Sequence, residues 1–239
     1  MTTLDPDLLL RAYSVGVFPM ASTRDAAEVF WVEPKKRGVL PLDSFHLSHS
    51  LAKTIRSDRF TVTVDRAFDR VVALCAEATE RRPDTWINPE IEAAYAALHR
   101  RGYAHSMECW HEDELVGGLY GVRLGGAFFG ESMFSRERDA SKVALAHLVA
   151  RLKAGGFRLL DCQFQTEHLA SMGTIEVGRD AYVALLDNAL GLGSAPSAGV
   201  GVSADFFAID RLAGAGVDAA TVFGPISGWR IVQLLGQTS

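Results

Sequence analysis

Two carboxylates stand where a folded chain ordinarily excludes charge. Glu131 lies in Phe128-Phe129-Gly130-Glu131-Ser132-Met133-Phe134-Ser135, and Asp161 in Leu159-Leu160-Asp161-Cys162-Gln163-Phe164-Gln165-Thr166. Each ends an apolar run with the composition of a strand, and a charge at such a place is costly unless it is paired or used. Two carboxylates so placed mark a candidate site. Alternation along a strand puts Asp161 and Gln163 on one face and Cys162 on the other, where it is expected as a core thiol. A turn-capping role is the competing reading of Asp161.

Other reactive side chains are isolated. His46 and His49 have no Cys or carboxylate at metal spacing, and His105, His147 and His168 each stand alone. Ser132 lacks the context of a nucleophile elbow. Cys75, Cys109 and Cys162 are odd in number and far apart, which favours reduced thiols over a disulfide framework.

The elements that must position these residues follow from pattern and punctuation. A short helix is expected from Asp5-Pro6, then an irregular stretch through Pro19 to Pro41. A helix from Ser48, a strand at 60–64 and a helix over 67–78 complete a small α/β lobe spanning 1–80. The helix Pro89 to Arg100 stops before Gly102, and three strands follow at 104–110, 115–122 and 127–133. Their short connections predict an antiparallel meander. Asp139 is expected to cap a helix whose apolar side carries Val143, Leu145, Leu148, Val149 and Leu152, with Gly155-Gly156 ending it. A strand over 157–163 and helices near 167–172 and 179–190 close the second domain, 81–190. Meander, helix, strand is an α+β layer with a mixed, mainly antiparallel sheet, the order of an acetyltransferase-like (GNAT-type) domain.

A chain of 239 residues, 48% of them hydrophobic, is long enough for one large or two small domains. Its formal charge of −5 argues against a generally basic nucleic-acid binder but allows a local basic patch. Asp5 and Asp7 precede the first apolar residues, unlike a secretory signal. The longest uncharged run, 188–204, is rich in Gly and Ser and broken by Pro196, so it reads as a tether and not a membrane span. A soluble cytoplasmic protein is expected. Residues 191–239 form a linker and a tail whose apolar end, Gly228 to Gln237, suits docking on the body, contact with a partner, or self-association.

The domain order suggests a coenzyme-A-dependent N-acyltransferase. Such enzymes cradle pyrophosphate on a Gly-rich turn before the central helix. Here that turn is Arg136-Glu137-Arg138-Asp139-Ala140-Ser141, with two acids and no glycine.

The chain resembles instead the leucyl/phenylalanyl-tRNA–protein transferases. The resemblance is carried by Thr85-Trp86-Ile87, Leu115-Val116-Gly117-Gly118-Leu119-Tyr120-Gly121, Phe129 to Ser135, Asp139-Ala140-Ser141-Lys142-Val143-Ala144-Leu145, Asp161-Cys162-Gln163 and Thr166 to Gly173. It covers roughly residues 5 to 187 and leaves the tail outside. It implies a two-domain fold and transfer of Leu, Phe or Met from aminoacyl-tRNA to the N-terminal Arg or Lys of a protein, marking that protein for degradation. No metal or cofactor is implied, since the tRNA ester is already activated, and a monomer is expected.

By the same resemblance Asp161, Gln163 and Glu131 are the catalytic group. Gln163 orients the attacking amine, Asp161 holds that amine or accepts its proton, and Glu131 binds the cationic N-terminal residue of the acceptor. Trp31 and Trp86 match tryptophans at the site of the terminal adenosine, although Phe30-Trp31-Val32-Glu33-Pro34 departs from the family's usual tryptophan pair followed by Ser-Pro-Asp-Pro. Leu119, Met133, Leu145, Leu148, Leu152 and Leu160 are implied to line the aminoacyl pocket. Lys35, Lys36, Arg37, Arg56, Arg59, Arg81 and Arg82, with Arg100 and Arg101, are expected to meet tRNA phosphates. A non-catalytic module that binds the tRNA end is a third reading.

Overall fold

The structure, a computed structural model, describes residues 4–79, 83–192, 204–213 and 225–236. The chain opens with helix α1 (Pro6–Ser14), capped by Asp5, whose carboxylate accepts the Asp7 N–H. Three strands of four residues follow: β1 (Phe18–Ala21), β2 (Val29–Val32) and β3 (Lys36–Val39). Then come α2 (His49–Arg56), capped by Ser48, β4 (Thr61–Val64) and α3 (Phe68–Ala76). Helix α4 (Pro89–Arg100) takes Asn88 as its cap. The meander is β5 (Ala104–His111), β6 (Glu114–Leu124) and β7 (Ala127–Ser135). After it run α5 (Ala140–Ala154), β8 (Leu159–Gln163), α6 (Glu167–Ala170), β9 (Ile175–Gly178) and α7 (Arg179–Leu190). Two short helices end the chain, α8 (Ala208–Ala213) and α9 (Gly228–Gly236).

Seven strands make one sheet in the order β4-β5-β6-β7-β8-β3-β9. Every neighbouring pair is antiparallel except β7 and β8, which run parallel on either side of the α5 crossover. This is the mixed, mainly antiparallel α+β layer expected. Two findings were not. The stretch before Pro41 is not irregular: β1 and β2 pair as a separate two-stranded sheet, and β3 inserts between β8 and β9. Because β3 and β4 both precede residue 80, the main sheet is continuous across the boundary expected there.

Each face of the sheet has its own core. Leu119, Phe128 and Leu160 point to the side of α2, α5 and α9, while their neighbours Tyr120, Phe129 and Leu159 point to the side of α1, α3, α4 and α7, as strand alternation requires. Helix α5 is buried nearly all round from Ala140 to Leu152, not on one side, because α2, α8 and α9 cover the surface turned away from the sheet. Asp139 does not cap it with its side chain; the residue takes φ 68°, and its carbonyl accepts the Val143 N–H at 2.8 Å.

The tail docks on the body. Phe206 stacks between His105 (ring centroids 4.2 Å apart) and Phe128 (5.6 Å), and the Arg151 guanidinium sits 5.1 Å from its ring centre. Arg151 also donates to the Phe206 carbonyl at 2.8 Å and forks onto Asp210. Helix α9 begins at Gly228, whose N–H donates to Asp58 at 2.6 Å and whose Cα lies so close to the Ile55 carbonyl that no side chain fits. Most of the tether, 193–203, lies outside the described residues.

Candidate active site

The site forms where two parallel strands separate. Strands β7 and β8 are paired only from Ala127–Leu159 to Phe129–Asp161, yet β7 continues to Ser135 and β8 to Gln163. Glu131 and Gln163 stand just past the last pair, on opposite sides of the gap.

Irregularities in the strands aim both residues. In the β6–β7 ladder Tyr120 faces Ser132 and Gly121 faces Gly130, which leaves Glu131 as the extra residue of a bulge. In the β3–β8 ladder Gly38 faces Gln163 and Val39 faces Asp161, so Cys162 is extra in turn. Gln163 has φ 60°, and the Phe164 N–H closes back on the Cys162 carbonyl at 2.6 Å, forming a γ-turn of the rarer positive-φ kind. Such a backbone is strained and persists only where its surroundings hold it. Gly38 supplies part of that hold, since a Cβ there would come within 2.7 Å of the Phe164 main chain.

Glu131 is buried and heavily bonded. Its Oε1 accepts from Tyr13 (2.7 Å) and from Gln163 Nε2 (3.0 Å), and its Oε2 accepts from Tyr95 (2.9 Å). The two tyrosine hydroxyls lie 2.6 Å apart. Burial pushes the Glu131 carboxyl up to about 7, against the opposing pull of the three hydrogen bonds. Tyr13 comes from α1 and Tyr95 from α4, so each helix delivers one hydroxyl to the same carboxylate.

Asp161 is fully buried and does not line the cavity. Arg37 meets it side-on, Nε at 2.9 and 3.0 Å from the two oxygens and Nη2 at 2.6 Å. Tyr182 of α7 donates to Oδ2 at 2.7 Å, and the Gln163 N–H donates to Oδ1 at 2.7 Å. The Arg37 guanidinium lies 4.7 Å from the Phe18 ring centre and 4.5 Å from that of Tyr182, and its Nη1 donates to the Gly16 carbonyl. Arg37, expected on the surface for phosphate, is thus an interior cation committed to Asp161.

A cavity of about 310 Å³ opens over Glu131 and Gln163. Its walls include Leu119, Met133, Leu145, Leu148, Leu160 and Trp86 from the expected set, together with Phe18, Met20, Tyr120, Phe164 and Leu169. Leu152 is not among them; it is buried in the core that α5 shares with the sheet. Cys162 lies opposite Asp161 as alternation predicts, on the Leu160 face, and that face lines the cavity; it is Gln163 that the bulge and the turn bring round to join it. Burial and the charge of Asp161 push the Cys162 thiol up to about 12, which keeps it protonated.

Trp31 is placed differently from Trp86. On β1, Phe18 and Met20 face the cavity, and their cross-strand partners are Val32 and Phe30. Trp31 pairs with Pro19, so it lies on the other face of the ribbon, 40% exposed. Met20 stands in the cavity wall with Trp86, tied to it by the Ala21 N–H donating to the Trp86 carbonyl at 3.1 Å.

The expected basic set does not act as a block. Lys36 pairs with Glu176 at 3.2 Å, Arg59 with Glu137 at 2.6 Å and Arg101 with Asp7 at 2.5 Å. Lys35 and Arg56 are exposed and have no ion-pair partner among the described residues. Arg81 and Arg82 lie outside the described residues. No group of three or more potential metal ligands occurs among the described residues, and none of their helices is long and apolar enough to cross a membrane.

Comparison with known proteins matches residues 39–187 to the leucyl/phenylalanyl-tRNA protein transferase family, and residues 2–35 to that family's N-terminal domain. The chain belongs to this family. The transferase of Rhizorhabdus wittichii is 71% identical over 249 aligned residues, spanning the whole of both chains. That of Zymomonas mobilis is 67% identical over 187 residues, 78% of this chain and 70% of its own. Among solved structures, FemX overlays at a TM-score of 0.45 and 12% identity, over 72% of this chain and 66% of that one. The full-length match to a family member takes in the tail, which the motifs alone had left outside.

Of the residues around the site, Tyr13, Tyr95, Tyr182 and Arg37 were not legible as such. The three tyrosines belong to none of the motifs, and Arg37 stood only in the basic set expected to meet tRNA phosphates. The one usable signal was local: Leu9 and Tyr13 fall on the inward face of α1, where a hydroxyl must find a partner.

Proposed function

We propose that this transferase moves Leu or Phe from aminoacyl-tRNA to the N-terminal Arg or Lys of an acceptor protein, in the cytoplasm where charged tRNA is made. The observation that carries the reading is the cavity itself: an apolar chamber with Trp86 in its wall and a hydrogen-bonded Glu131–Gln163 pair at the mouth of the strand gap.

The apolar side chain of the amino acid fits among Leu119, Met133, Leu145, Leu148 and Leu160, and the terminal adenine stacks on Trp86 with Met20 beside it. Leu and Met walls adapt to either shape, so discrimination between Leu and Phe is modest. Aminolysis of the ester forms an amide C–N bond and releases the 3′ hydroxyl of the tRNA; the amine must attack unprotonated and its proton must be taken up. Gln163 commits Nε2 to Glu131, which leaves Oε1 as the acceptor for the incoming amine. Glu131 offers a carboxylate that titrates near neutrality to the cationic end of the acceptor. Asp161, buried behind Gln163 and saturated by Arg37, Tyr182 and the Gln163 N–H, acts as a positioning residue that fixes the strained turn.

The test is transfer of radiolabelled Leu and Phe from charged tRNA to a protein beginning with Arg, against the same protein beginning with Ala. Transfer to the Arg form alone is expected. Transfer to neither, with charged tRNA still bound, would leave a tRNA-end-binding module; tight, saturable coenzyme A binding would favour an N-acyltransferase.

A further inference from the structure

Strand β7 loses a partner halfway along. Residues 127–129 are fully buried beside β8, whereas Ser132, Met133 and Phe134 are half-buried and Ser135 is exposed. Past the Phe129–Asp161 pair β8 ends in the Gln163 turn, and its own far edge is already taken by β3. The opposite edge of β7 stays paired with β6 to its end, and that pairing fixes which groups face the gap. The Arg136 N–H donates to the Val116 carbonyl at 2.7 Å, in the same register as Phe134 opposite Gly118 and Ser132 opposite Tyr120. Hydrogen-bonded and non-hydrogen-bonded pairs alternate along an antiparallel ladder, so Ser132 and Phe134 commit their main-chain groups to β6, while Met133 and Ser135 turn theirs away from it. No other strand among the described residues pairs with this half of β7. Met133 lines the cavity and Ser135 lies beyond it, so the open edge runs from the Glu131–Gln163 pair out to solvent.

We propose that the acceptor polypeptide adds to this edge as a short parallel strand, in the place that β8 leaves at Gln163, with main-chain hydrogen bonds to Met133 and Ser135 holding the residues behind the reacting amine. This rests on the transfer reaction proposed above. An amine accepted by Gln163 Oε1 is the first atom of a chain that must leave the site, and a chain running with β7 passes Met133 and then Ser135 on its way to solvent. The open stretch, four residues of strand, spans roughly 13 Å and accommodates about four residues of acceptor. Main-chain bonds to a sheet edge give affinity without reading side chains, so the acceptor is selected by its first residue and by the freedom of the next few to lie extended.

The experiment measures transfer from charged tRNA to synthetic peptides that begin with Arg and continue in alanine, unmodified or N-methylated at the third or the fourth residue. Successive residues of a strand turn their N–H groups to opposite sides, so one of the two methyl groups meets β7 and the other points away from it. The peptide KM is expected to rise roughly tenfold for one of the pair and to stay within about twofold for the other, with the KM of charged tRNA unchanged. Equal effects at both positions, or none at either, overturn the proposal. On the protein side, Ser135→Pro removes an N–H that β6 does not use, and is expected to raise the peptide KM while leaving that of charged tRNA alone. Ser135→Ala, which loses only the hydroxyl that donates to the Glu137 carbonyl at 2.8 Å, is expected to match wild type. A peptide KM unchanged in folded Ser135→Pro overturns the proposal; should that variant fail to fold, as read from Tm, the methylated peptides decide. Wild type that transfers to no Arg-initiated peptide is a different result, which overturns the transfer reading and this inference with it.

Discussion

Arg37 and Asp161, 124 positions apart in sequence, form a side-on ion pair with 2% and 0% of their side-chain surfaces exposed. Removing one partner of such a pair leaves an uncompensated buried charge and costs roughly 3–5 kcal/mol. Arg37→Ala is therefore expected to lower thermal stability markedly, and to reduce kcat more than the KM of charged tRNA because the Gln163 turn loses its support. Denaturant unfolding and steady-state kinetics check both; a loss confined to tRNA affinity would return Arg37 to the phosphate-contact role.

Glu131 carries a pH dependence of defined sign. Its carboxyl is raised in the folded state to about 7 from 4.5. The stabilising contribution of the neutral form is thus complete below the unfolded pKa and is lost as pH rises through about 7. Glu131→Gln, which stays neutral, should gain stability relative to wild type at pH 8 compared with pH 5, by at most about 3 kcal/mol. In catalysis the sign reverses: the ionised form attracts the acceptor cation, so the acceptor KM of wild type should rise as pH falls below 7, and that dependence should vanish in Glu131→Gln. Parallel pH profiles for the two proteins would remove Glu131 from acceptor binding.

The two tryptophans are expected to separate. Trp86→Ala should weaken binding of charged tRNA by the value of one base stack, roughly 1–3 kcal/mol, while Trp31→Ala, on the far face of the β1–β2 ribbon, should leave it nearly unchanged. Fluorescence titration with charged tRNA distinguishes them, and equal losses would mean that the ribbon turns over on binding.

Phe206 anchors the tail through His105, Phe128 and Arg151. Phe206→Ala should cost roughly 3–5 kcal/mol in global stability, the range for truncating a buried aromatic ring. Calorimetry checks it; an unchanged Tm would show that the tail adds nothing to the core.

Much of this was legible in the sequence, for physical reasons. Helices and the meander announce themselves through caps and periodicity: Ser48 and Asn88 cap α2 and α4 as their residue types require. Glu131, Asp161 and Gln163 stood out because charge in an apolar run is rare. The strands β1, β2, β3 and β9 did not stand out, since four residues hold too little of a period without the Thr/Val alternation that marks β4, and Pro19 reads as a breaker. Arg37 could not be told from Lys35 and Lys36, because what turns it inward is a carboxylate in a distant strand. The bulges at Glu131 and Cys162 are properties of pairing, which one strand's sequence does not carry.

Strand β3 has a consequence for the order of synthesis. Residues 36–39 leave the ribosome early, yet their neighbours in the sheet are 159–163 and 175–178. Pairing across such separations is slow and must wait for the later strands. A chain stopped before residue 161 therefore has no Arg37–Asp161 pair and no supported turn at Gln163. Such a truncated product is expected to be unable to discharge the aminoacyl-tRNAs that translation itself depends on, which ties activity to chains that have passed that point.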